Sequence, residues 1–471
     1  MPRRVLFVAY LFPPVGGVGV HRVTKFVKYL PEFGWESSVL TVSNPSVPLL
    51  DDSLLRDVPA STLIRKARTL EPGYALKNAV AGGKSAAGPA ASRFSPKRIV
   101  SGLKGLAKSA ARAAGNALLH PDSQILWRWN ALREGRKLLR EVPHDAIIAT
   151  GPPFSSFLVG QTLARESGLP LLLDYRDEWD ISNAYWENKK QGRVANWIQR
   201  RMQHSVLRAA SHVIATTPAS TSAVETIARA AGSDIPATCV YNGFDPDDFD
   251  ASDRPAVKKD FGHGVDKFRL SFIGTLWNLN SIEPVVRAIE TLAASQPILV
   301  EHLELVLAGR RTPDQEAIVD RLNGLPCAVT RLPFVSHSEA VELMRSSDSL
   351  LMLNADVPHA HRIINAKTFE YMAARRPSFV VAPPGDVWDI LRDLPGTILS
   401  EPSKTDDIAR KLALAIEQHR CGVTHDEAHW PIERFERRAL AGELAGLLNG
   451  LTGEMPPAVT TRSRAEKVAL S

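Results

Sequence analysis

The chain has 471 residues, of which 44% are hydrophobic and 23% are charged. These fractions are typical of globular proteins and exclude a disordered chain, and the length suggests about two to four domains. The net charge of +6 is concentrated between Arg65 and Arg112, where eleven residues are basic and one is acidic, so no basic surface typical of a nucleic-acid-binding protein is predicted elsewhere.

Apolar, β-rich runs alternate along the chain with longer stretches of helical periodicity. Such alternation predicts parallel strands that helices cover on both faces. Because two series follow one another, we expect two doubly wound α/β domains. The opening run ends at two prolines without a cleavage site, so it is predicted to be the first strand rather than a signal peptide. The predicted strands are Val5–Tyr10, Ser38–Val42, Asp145–Thr150, Pro170–Arg176, His212–Thr217, Thr238–Tyr241, Arg269–Thr275, Leu303–Ala308, Ala328–Phe334, Ser349–Asn354 and Ser378–Ala382.

A polar, acidic segment separates the two series. It follows Tyr241–Asp245 and extends to about Lys267, where a new strand pattern begins. A last helical pattern lies beyond the final strand and is able to pack back on the first domain. The predicted divisions are therefore domains at 1–245 and 246–430, a C-terminal helix at 431–450 and a disordered tail at 451–471.

Residues 78–118 interrupt the first series. Asn78–Ser95 is rich in alanine, glycine and serine, which is typical of a flexible loop. Lys97–Leu118 carries three cations at i,i+4 spacing, with apolar residues around the other side. Two interpretations stay open: a surface helix that covers its own domain, or a basic amphipathic helix that docks on an anionic membrane.

The first predicted strand ends in a glycine-rich turn, Pro13-Pro-Val-Gly-Gly-Val-Gly-Val-His-Arg22. Gly16, Gly17 and Gly19 allow the backbone to approach a ligand, and the following helix presents free N–H groups to an anion. Arg22 stands at the third glycine of a dinucleotide fingerprint. The pattern therefore argues against a nicotinamide dinucleotide and favours a phosphate or sugar contact, with an ordinary tight turn as the alternative.

A second motif, Asp174-Tyr-Arg-Asp-Glu-Trp179, follows an apolar run of three leucines. Polar groups just past the carboxyl end of a parallel strand face the crevice in which doubly wound folds bind ligands. We therefore expect Arg176, Asp177 and Trp179 to offer a cation, a carboxylate and a stacking surface. The alternative is a structural ion pair at the end of the strand.

A third motif runs from Arg362 to Pro377 and contains Lys367 three residues before Glu370. This spacing puts both side chains on one face of a predicted helix. A carboxylate there can accept two hydrogen bonds from vicinal hydroxyls such as those of a ribose, while the lysine faces a phosphate. An ion pair within the helix is the alternative.

Cysteines and histidines give little sign of a metal site. Three cysteines, Cys239, Cys327 and Cys421, are too few and too scattered for a disulfide framework, which favours a reducing cytoplasm. Two segments have metal-like spacing, Asp245-Pro-Asp247 at the domain boundary and His419-x-Cys421-x3-His425-x3-His429 in a polar stretch. The first lies in a predicted domain linker and the second is predicted to be a solvated helix end, so no metal site is expected.

In their order and spacing, these motifs resemble a retaining, family-four glycosyltransferase of the GT-B fold, of the bacterial type that carries an Arg-Asp-x-Trp motif. The resemblance covers roughly residues 4–450. It is carried by the glycine turn, Asn242-Gly-x-Asp245, Ser271–Thr275, Arg176–Trp179 and Lys367–Pro377. Glu370 matches the second glutamate of the family's E-x7-E pattern, and Arg362 stands where the first would fall.

The resemblance implies two Rossmann-like domains that face each other across a cleft, with the nucleotide sugar on the second and the acceptor on the first. The nucleotide sugar is a co-substrate, and neither a cofactor nor a metal is expected. Cleavage of the sugar–phosphate bond requires fixed cations and N–H dipoles at the departing diphosphate. Donor binding is therefore expected at Gly16, Gly17, Gly19, Thr275, Arg310, Arg362, Lys367 and Glu370, catalysis at Arg176 and Asp177, and acceptor contacts at His21, Arg22 and Trp179.

The function implied is transfer of a hexosyl or related group to a lipid-linked or polysaccharide acceptor in bacterial surface-polysaccharide or glycolipid assembly. The place implied is the cytoplasm, with peripheral attachment to the inner face of the plasma membrane through 97–118. Two alternatives stay open: a non-catalytic binding or scaffold protein of the same fold, favoured by Arg362, and a sugar-nucleotide epimerase. A nucleic-acid partner is not expected.

Overall fold

A computed structural model describes residues 2–47, 49–74, 119–181, 192–249, 257–423 and 430–453. The predicted basic insertion, the predicted tail from residue 454 onward, His425 and His429 lie outside these residues. The described chain divides into two compact units. Unit 1 extends to Ala215 and adds Ala223–Val240 and the described residues from Ala441 onward, whereas unit 2 comprises Thr216–Ser222 and Tyr241–Leu440.

Unit 1 is an α/β unit built on a seven-stranded parallel sheet. Its strands are β1 (Arg3–Val8), β2 (Trp35–Val42), β3 (Leu63–Ala67), β4 (Ala146–Gly151), β5 (Leu171–Tyr175), β6 (His212–Ala215) and β7 (Ala237–Cys239). Its helices are α1 (Val18–Tyr29), α2 (Arg128–Glu141), α3 (Ser155–Ser167), α4 (Arg193–Ala209) and α5 (Pro218–Ala230), whose first turn belongs to unit 2. The strand order is β3-β2-β1-β4-β5-β6-β7, and in the register of β1 Val5 lies opposite Ser37 on one side and Ala146 on the other.

The central strand of unit 1 shows why this sheet lies between two layers. Successive residues of a strand point to opposite faces, and all four residues from Val5 to Val8 are buried. Both faces of the sheet are therefore covered, as expected for parallel strands with near-continuous apolar runs.

Unit 2 contains a six-stranded parallel sheet among its described residues. Its strands are β8 (Phe268–Ile273), β9 (Leu303–Ala308), β10 (Ala328–Leu332), β11 (Ser349–Leu353), β12 (Ser378–Val381) and β13 (Ile398–Ser400). Its helices are α6 (Glu283–Ser295), α7 (Pro297–Val300), α8 (Pro313–Asp320), α9 (His337–Arg345), α10 (Ala366–Ala373), α11 (Asp386–Leu391) and α12 (Thr405–Arg420), followed by α13 (Arg437–Leu451). The strand order is β10-β9-β8-β11-β12-β13.

Two hydrophobic cores flank the sheet of unit 2, and alternate residues of the same strands belong to each. Leu351 and Leu353 of β11 pack with residues of α6 and α12, whereas Leu350 and Met352 pack with residues of α9, α10 and α11. This alternation follows the period of two of a β-strand. It fixes α10, which packs in the second of these cores, on one face of the sheet.

The last helix, α13, divides between the two units at Leu440 and Ala441. Within unit 2, the Arg437 amide donates to the Phe244 carbonyl at 2.7 Å. Within unit 1, the Trp35 indole and the Arg3 guanidinium both donate to Asn449 Oδ1, each at 2.9 Å. The C-terminal end of the helix is therefore anchored by polar contacts to β1 and β2.

Every predicted strand coincides with an observed one, but β3 and β13 were not predicted. Both lie at an edge of their sheet. The β3 sequence, Leu-Ile-Arg-Lys-Ala, contains two cations, and β13 has only three residues. An edge strand pairs on one side only, so it needs no continuous apolar run and gives a weak sequence signal.

None of the helices in the described ranges is long and apolar enough to cross a bilayer. The three cysteines are free thiols: Cys327 is buried, Cys239 is half-buried and Cys421 is exposed.

Candidate functional site

The chain of unit 2 reverses its direction across the sheet between β8 and β11. From β8 it proceeds outward through β9 to β10, and it then returns to β11 on the other side of β8 and proceeds to β13. In open doubly wound sheets, ligands bind beside the carboxyl ends of the strands at such a reversal. We call the residues found there, Gly274–Thr275, Gly309–Arg310, Asn354 and Asn365–Glu370, the carboxyl-edge site.

Gly309 holds two loops of the carboxyl-edge site together. Its φ of +123° is one that residues with a side chain rarely adopt, and a Cβ atom there would lie 2.1 Å from the Gly274 carbonyl oxygen. The Gly274 amide donates to the Ala308 carbonyl at 2.8 Å, and the Leu276 amide donates to the Arg310 carbonyl at 2.9 Å. The loops after β8 and β9 therefore stay paired, which brings Thr275 close to Arg310.

Arg310 and Arg311 differ sharply in their surroundings. Arg311 donates from Nη1 to the carbonyls of Gly309 and Leu332, both at 3.0 Å, and from Nε to Glu316 at 2.7 Å. Arg310 is exposed and has no hydrogen-bond or ion-pair partner for its side chain among the described residues. Arg311 is thus part of the loop scaffold, and Arg310 is the cation available to a ligand.

Two asparagines fix the start of α10 at the end of β11. Asn365 donates from Nδ2 to Asn354 Oδ1 at 2.6 Å and to the Leu353 carbonyl at 3.3 Å, and Asn354 donates to the Ile363 carbonyl at 3.1 Å. No acidic residue occupies the first turn of α10. The positive end of this helix therefore points to the carboxyl edge of the sheet.

Lys367 and Glu370 form the ion pair that their spacing left as an alternative. Lys367 Nζ lies 2.6 Å from Glu370 Oε2, and both side chains are partly exposed, whereas Thr368, Phe369 and Tyr371 between and beside them are buried. Glu370 Oε1 makes no hydrogen bond within the described part of the chain. Because partly exposed pairs contribute about 1 kcal/mol or less, a ligand can exchange this contact at little cost.

Arg362 lies in a short 3-10 turn before α10, and its carbonyl accepts a hydrogen bond from Thr217 Oγ1 at 2.9 Å. A Cβ atom on Gly385 would collide with the His361 backbone, so the loop before α11 lies against this turn. The next residue, Asp386, accepts a hydrogen bond from the Ala219 amide at 2.9 Å. Arg362 is half-buried, and the hydrogen bonds from residues 217–219 of the same unit stabilise the turns around it.

Phe334 is a residue at this sheet edge that sequence reasoning did not single out as a ligand contact. It follows β10, and its side chain is 74% exposed. The Gly309 amide donates to the Pro333 carbonyl at 3.1 Å, which places the Phe334 segment beside the Arg310 loop. The available signal was an aromatic residue at the carboxyl end of a predicted parallel strand, where ligands bind in doubly wound folds.

In unit 1 the reversal falls between β1 and β4, and the glycine turn follows β1. Gly17, with φ of +100°, is the N-cap of α1, and no acidic residue occupies the first turn of this helix. The Gly16 amide donates to the Leu49 carbonyl at 3.1 Å, so this N–H group is not available to an anion. His21 is half-buried. The pKa of the Asp51 carboxyl is lowered, mainly by a hydrogen bond from Ser53 and to a smaller extent by the charge of His21.

Arg22 is not an exposed acceptor contact but part of a buried cluster. Its Nε lies 3.0 Å from Asp174 Oδ1, and Thr150 Oγ1 donates to Asp174 Oδ2 at 2.9 Å. The Arg22 guanidinium also lies 4.9 Å from the ring centre of Phe26. Arg22, Asp174 and Thr150 are all buried, so the prediction for Arg22 is corrected to that of a structural residue that ties α1 to β4 and β5.

Arg176 and Asp177 follow β5 as predicted, but they differ in their availability. Arg176 is buried and donates from Nη1 to the carbonyl of Gly19, in the first turn of α1. Asp177 is half-buried, and burial raises the pKa of its carboxyl while Arg176 acts in the opposite direction. Of the two, Asp177 is the one that can meet a ligand, and Arg176 positions the start of α1.

The predicted stacking surface at Trp179 is wrong. The ring is 0% exposed, stacks on Phe154 with centroids 4.5 Å apart and donates from Nε1 to Gln199 at 2.6 Å. The tryptophan of the Arg-Asp-x-Trp motif is therefore a core residue that holds the loop after β5 against α3 and α4.

Sequence reasoning places Asp174 at the start of its motif and Thr150 at the end of a neighbouring strand, but it assigns neither residue a role in the site. A charged residue that ends an apolar strand needs a partner if it is buried, and this was the available signal.

No group of three or more His, Cys, Asp or Glu side chains within the described ranges is arranged to hold a metal ion.

Comparison with known proteins gives a family match for part of the chain. Residues 16–233 match the family model described as glycosyl transferase 4-like domain. No curated protein matches the sequence significantly.

Solved structures match almost the whole chain at low sequence identity. Anabaena Alr3699/HepE in complex with UDP-glucose matches with a TM-score of 0.55 and 15% identity, over 95% of this chain and 99% of that one. The lipopolysaccharide outer core galactosyltransferase WaaB gives 0.57 and 12%, over 95% and 99%. The trehalose 6-phosphate synthase of Burkholderia multivorans gives 0.57 and 13%, over 96% and 99%. The chain therefore has the GT-B glycosyltransferase fold, with two parallel-sheet α/β domains.

Proposed function

We propose that this protein is a glycosyltransferase that binds a nucleotide-activated sugar at the carboxyl-edge site of unit 2. The observation that carries the proposal is the placement of the Lys367–Glu370 pair and of Arg310 at the same carboxyl edge of this sheet, where the Arg310 side chain has no partner among the described residues. Residues 16–233 of the same chain match a glycosyl transferase 4-like domain. Anabaena HepE, of the same fold, was crystallised with UDP-glucose, which makes UDP-sugars the first donors to test.

Glu370 is proposed to bind the ribose of the donor. Among the described residues, its Oε2 is held only by Lys367 and its Oε1 accepts no hydrogen bond. Two carboxylate oxygens can accept hydrogen bonds from two vicinal hydroxyls, and hydrogen bonds to a charged group are the stronger ones. Phe334, exposed beside the Arg310 loop, offers an aromatic face to the nucleobase.

Arg310 and Lys367 are proposed to stabilise the departing diphosphate. Negative charge grows on the diphosphate as the sugar–phosphate bond breaks, so cations already in place lower the barrier. The start of α10 adds N–H groups with the same polarity, and the Thr275 hydroxyl is a further donor beside Arg310. Because these groups supply the charge themselves, we propose a reaction that needs neither a metal nor a cofactor, with retention of configuration at the anomeric carbon.

In unit 1 we propose that Asp177 orients the acceptor hydroxyl. Unlike Asp174, Asp177 is only half-buried, and it makes no ion pair or hydrogen bond with its side chain among the described residues. Arg176 and the Arg22–Asp174 pair act as positioning residues that hold the start of α1, where Gly17, Gly19 and His21 lie. The glycine turn is proposed as a further anion contact, through the first turn of α1 rather than through Gly16.

The proposed acceptor is a lipid-linked saccharide or a polysaccharide of the bacterial surface, modified in the cytoplasm on the inner face of the plasma membrane. The fold is shared with WaaB, an outer core lipopolysaccharide galactosyltransferase, and with WaaG, described as involved in lipopolysaccharide biosynthesis. The free thiols of all three cysteines fit a reducing compartment.

The proposal predicts that purified protein releases UDP from a UDP-sugar and transfers labelled sugar to a lipid or saccharide fraction from a bacterial envelope. UDP release is measured with a coupled assay across a panel of nucleotide sugars, and the product is followed by the radiolabel. Conversion of the donor into its epimer without UDP release would instead identify an epimerase. Donor binding with neither reaction would identify a non-catalytic binding protein.

A further inference from the structure

Helix α4 presents one face on which every charged group is basic. Its sequence from Arg193 to Ala209 contains four arginines and one histidine but no aspartate or glutamate. At about 100° per residue, these side chains and two apolar ones fall within an arc of about 120°. The members of this face, which we call the α4 face, are Arg193, Val194, Trp197, Arg200, Arg201, His204 and Arg208.

The opposite side of α4 fixes this orientation, because it is buried in unit 1. Gln199, Gln203, Val206 and Leu207 are buried, and Gln199 accepts the hydrogen bond from the Trp179 indole. Gln161 of α3 donates to the Ser205 carbonyl at 2.7 Å. The helix is thus held along its length, and the α4 face points away from the core of its unit.

Among the described residues, no acidic side chain forms an ion pair with an arginine of the α4 face. Arg193 and Arg200 make no ion pair or hydrogen bond within the part of the chain that the structure describes. Arg208 donates to a neutral acceptor, the Ala231 carbonyl, at 3.2 Å, and Arg201 lies 4.8 Å from the centre of the Trp197 ring. Burial lowers the pKa of His204, and the charges of Arg208 and Arg200 lower it further while Asp180 opposes them.

The apolar members of the α4 face are unusually exposed. Val194 is 72% exposed and Trp197 is 57% exposed, one turn apart on the same helix. Exposed tryptophan costs free energy in water, and its indole, with an apolar body and a polar N–H, favours the boundary between lipid headgroups and acyl chains. Arginines around it favour the same place when the headgroups are anionic.

We propose that the α4 face docks the protein on an anionic lipid surface. The combination favours a bilayer over a nucleic acid, because a convex strip about 25 Å long places Trp197 between cations and Val194 at the edge of the same arc. An anionic bilayer offers charged headgroups to the arginines and an apolar layer beneath them to the tryptophan and valine side chains. This site is distinct from the predicted basic segment at 97–118, and it does not depend on the proposed sugar transfer.

The test is binding of the full chain to vesicles of phosphatidylcholine with and without phosphatidylglycerol, followed by sedimentation. The variant R193Q/R200Q/R201Q is expected to bind anionic vesicles about a hundredfold more weakly, since each arginine near such a surface contributes about fivefold. The variant W197A is expected to bind more weakly at high salt, where the apolar contact dominates.

The matched control is R133Q/R136Q/R140Q on α2, which removes three exposed arginines from the same unit. It is expected to stay within about threefold of the unmodified chain. The proposal is overturned if both triple variants lose binding equally, if neither does, or if the α4 face binds a short DNA duplex in preference to the vesicles. Unchanged thermal unfolding shows that the variants are folded, and unchanged UDP release from a UDP-sugar shows that a failure here leaves the proposed function intact.

Discussion

Replacing Glu370 with alanine is expected to weaken binding of UDP-glucose by about a hundredfold. Two hydrogen bonds from ribose hydroxyls to a carboxylate are lost, and bonds to charged groups contribute about 1.5–3 kcal/mol each. The loss is partly offset, because Lys367 is released from its 2.6 Å contact with Glu370 and becomes free to meet a phosphate. The affinity is measured by calorimetric titration of the donor into the unmodified chain and the variant.

The chain offers a matched control for this experiment. Glu225 on α5 also pairs with a cation of its own helix, Arg229, and its side-chain exposure of 33% is close to the 28% of Glu370. The Glu225→Ala variant is expected to bind the donor normally, and Glu370→Gln is expected to fall between the alanine variant and the unmodified chain. Equal affinities for both alanine variants would contradict the assignment of the ribose site to α10.

The Asp174→Ala variant is expected to lower the stability of unit 1 by about 3–5 kcal/mol. The substitution leaves the buried guanidinium of Arg22 without the carboxylate that lies 3.0 Å from it, and Thr150 loses its acceptor. Removing one partner of a buried ion pair is costly because the other charge stays buried. Hydrogen exchange of the β4 and β5 amides in increasing denaturant measures the effect on this unit.

A double variant separates the cost of the stranded charge from the loss of the cluster itself. Arg22→Met with Asp174→Leu removes both charges and fills a similar volume, so it is expected to recover most of the lost stability. It is also expected to transfer sugar poorly, because α1 is no longer tied to β4 and β5 by polar contacts. If Asp174→Ala alone unfolds like the unmodified chain, Asp174 is not the anchor of α1.

Much of the fold was predictable because parallel strands buried on both faces must be apolar. The run Leu171–Leu173 and the strands around it showed this pattern, and they form the centre of the sheet in unit 1. The strands β3 and β13 were missed because each lies at a sheet edge, where Leu-Ile-Arg-Lys-Ala keeps its cations in partial contact with solvent.

The candidate site was predicted less completely, and the reason is burial. The spacing of Lys367 and Glu370 is a local property, so their common helical face was readable from the sequence. Whether Arg22 and Trp179 face a ligand or the core depends on residues far along the chain. Asp174 lies 152 positions after Arg22, and Gln199 lies 20 positions after Trp179. Neither pairing has a signature in a single sequence.

Hydrogen exchange of the whole chain with and without saturating UDP-glucose tests whether unit 2 holds the donor, because it locates the bound donor without assuming an acceptor. We expect slower exchange in three segments of unit 2: 273–277, 309–311 and 364–371. Protection confined to unit 1, or tight binding with none of these three segments protected, would show that the carboxyl-edge site does not hold the nucleotide sugar.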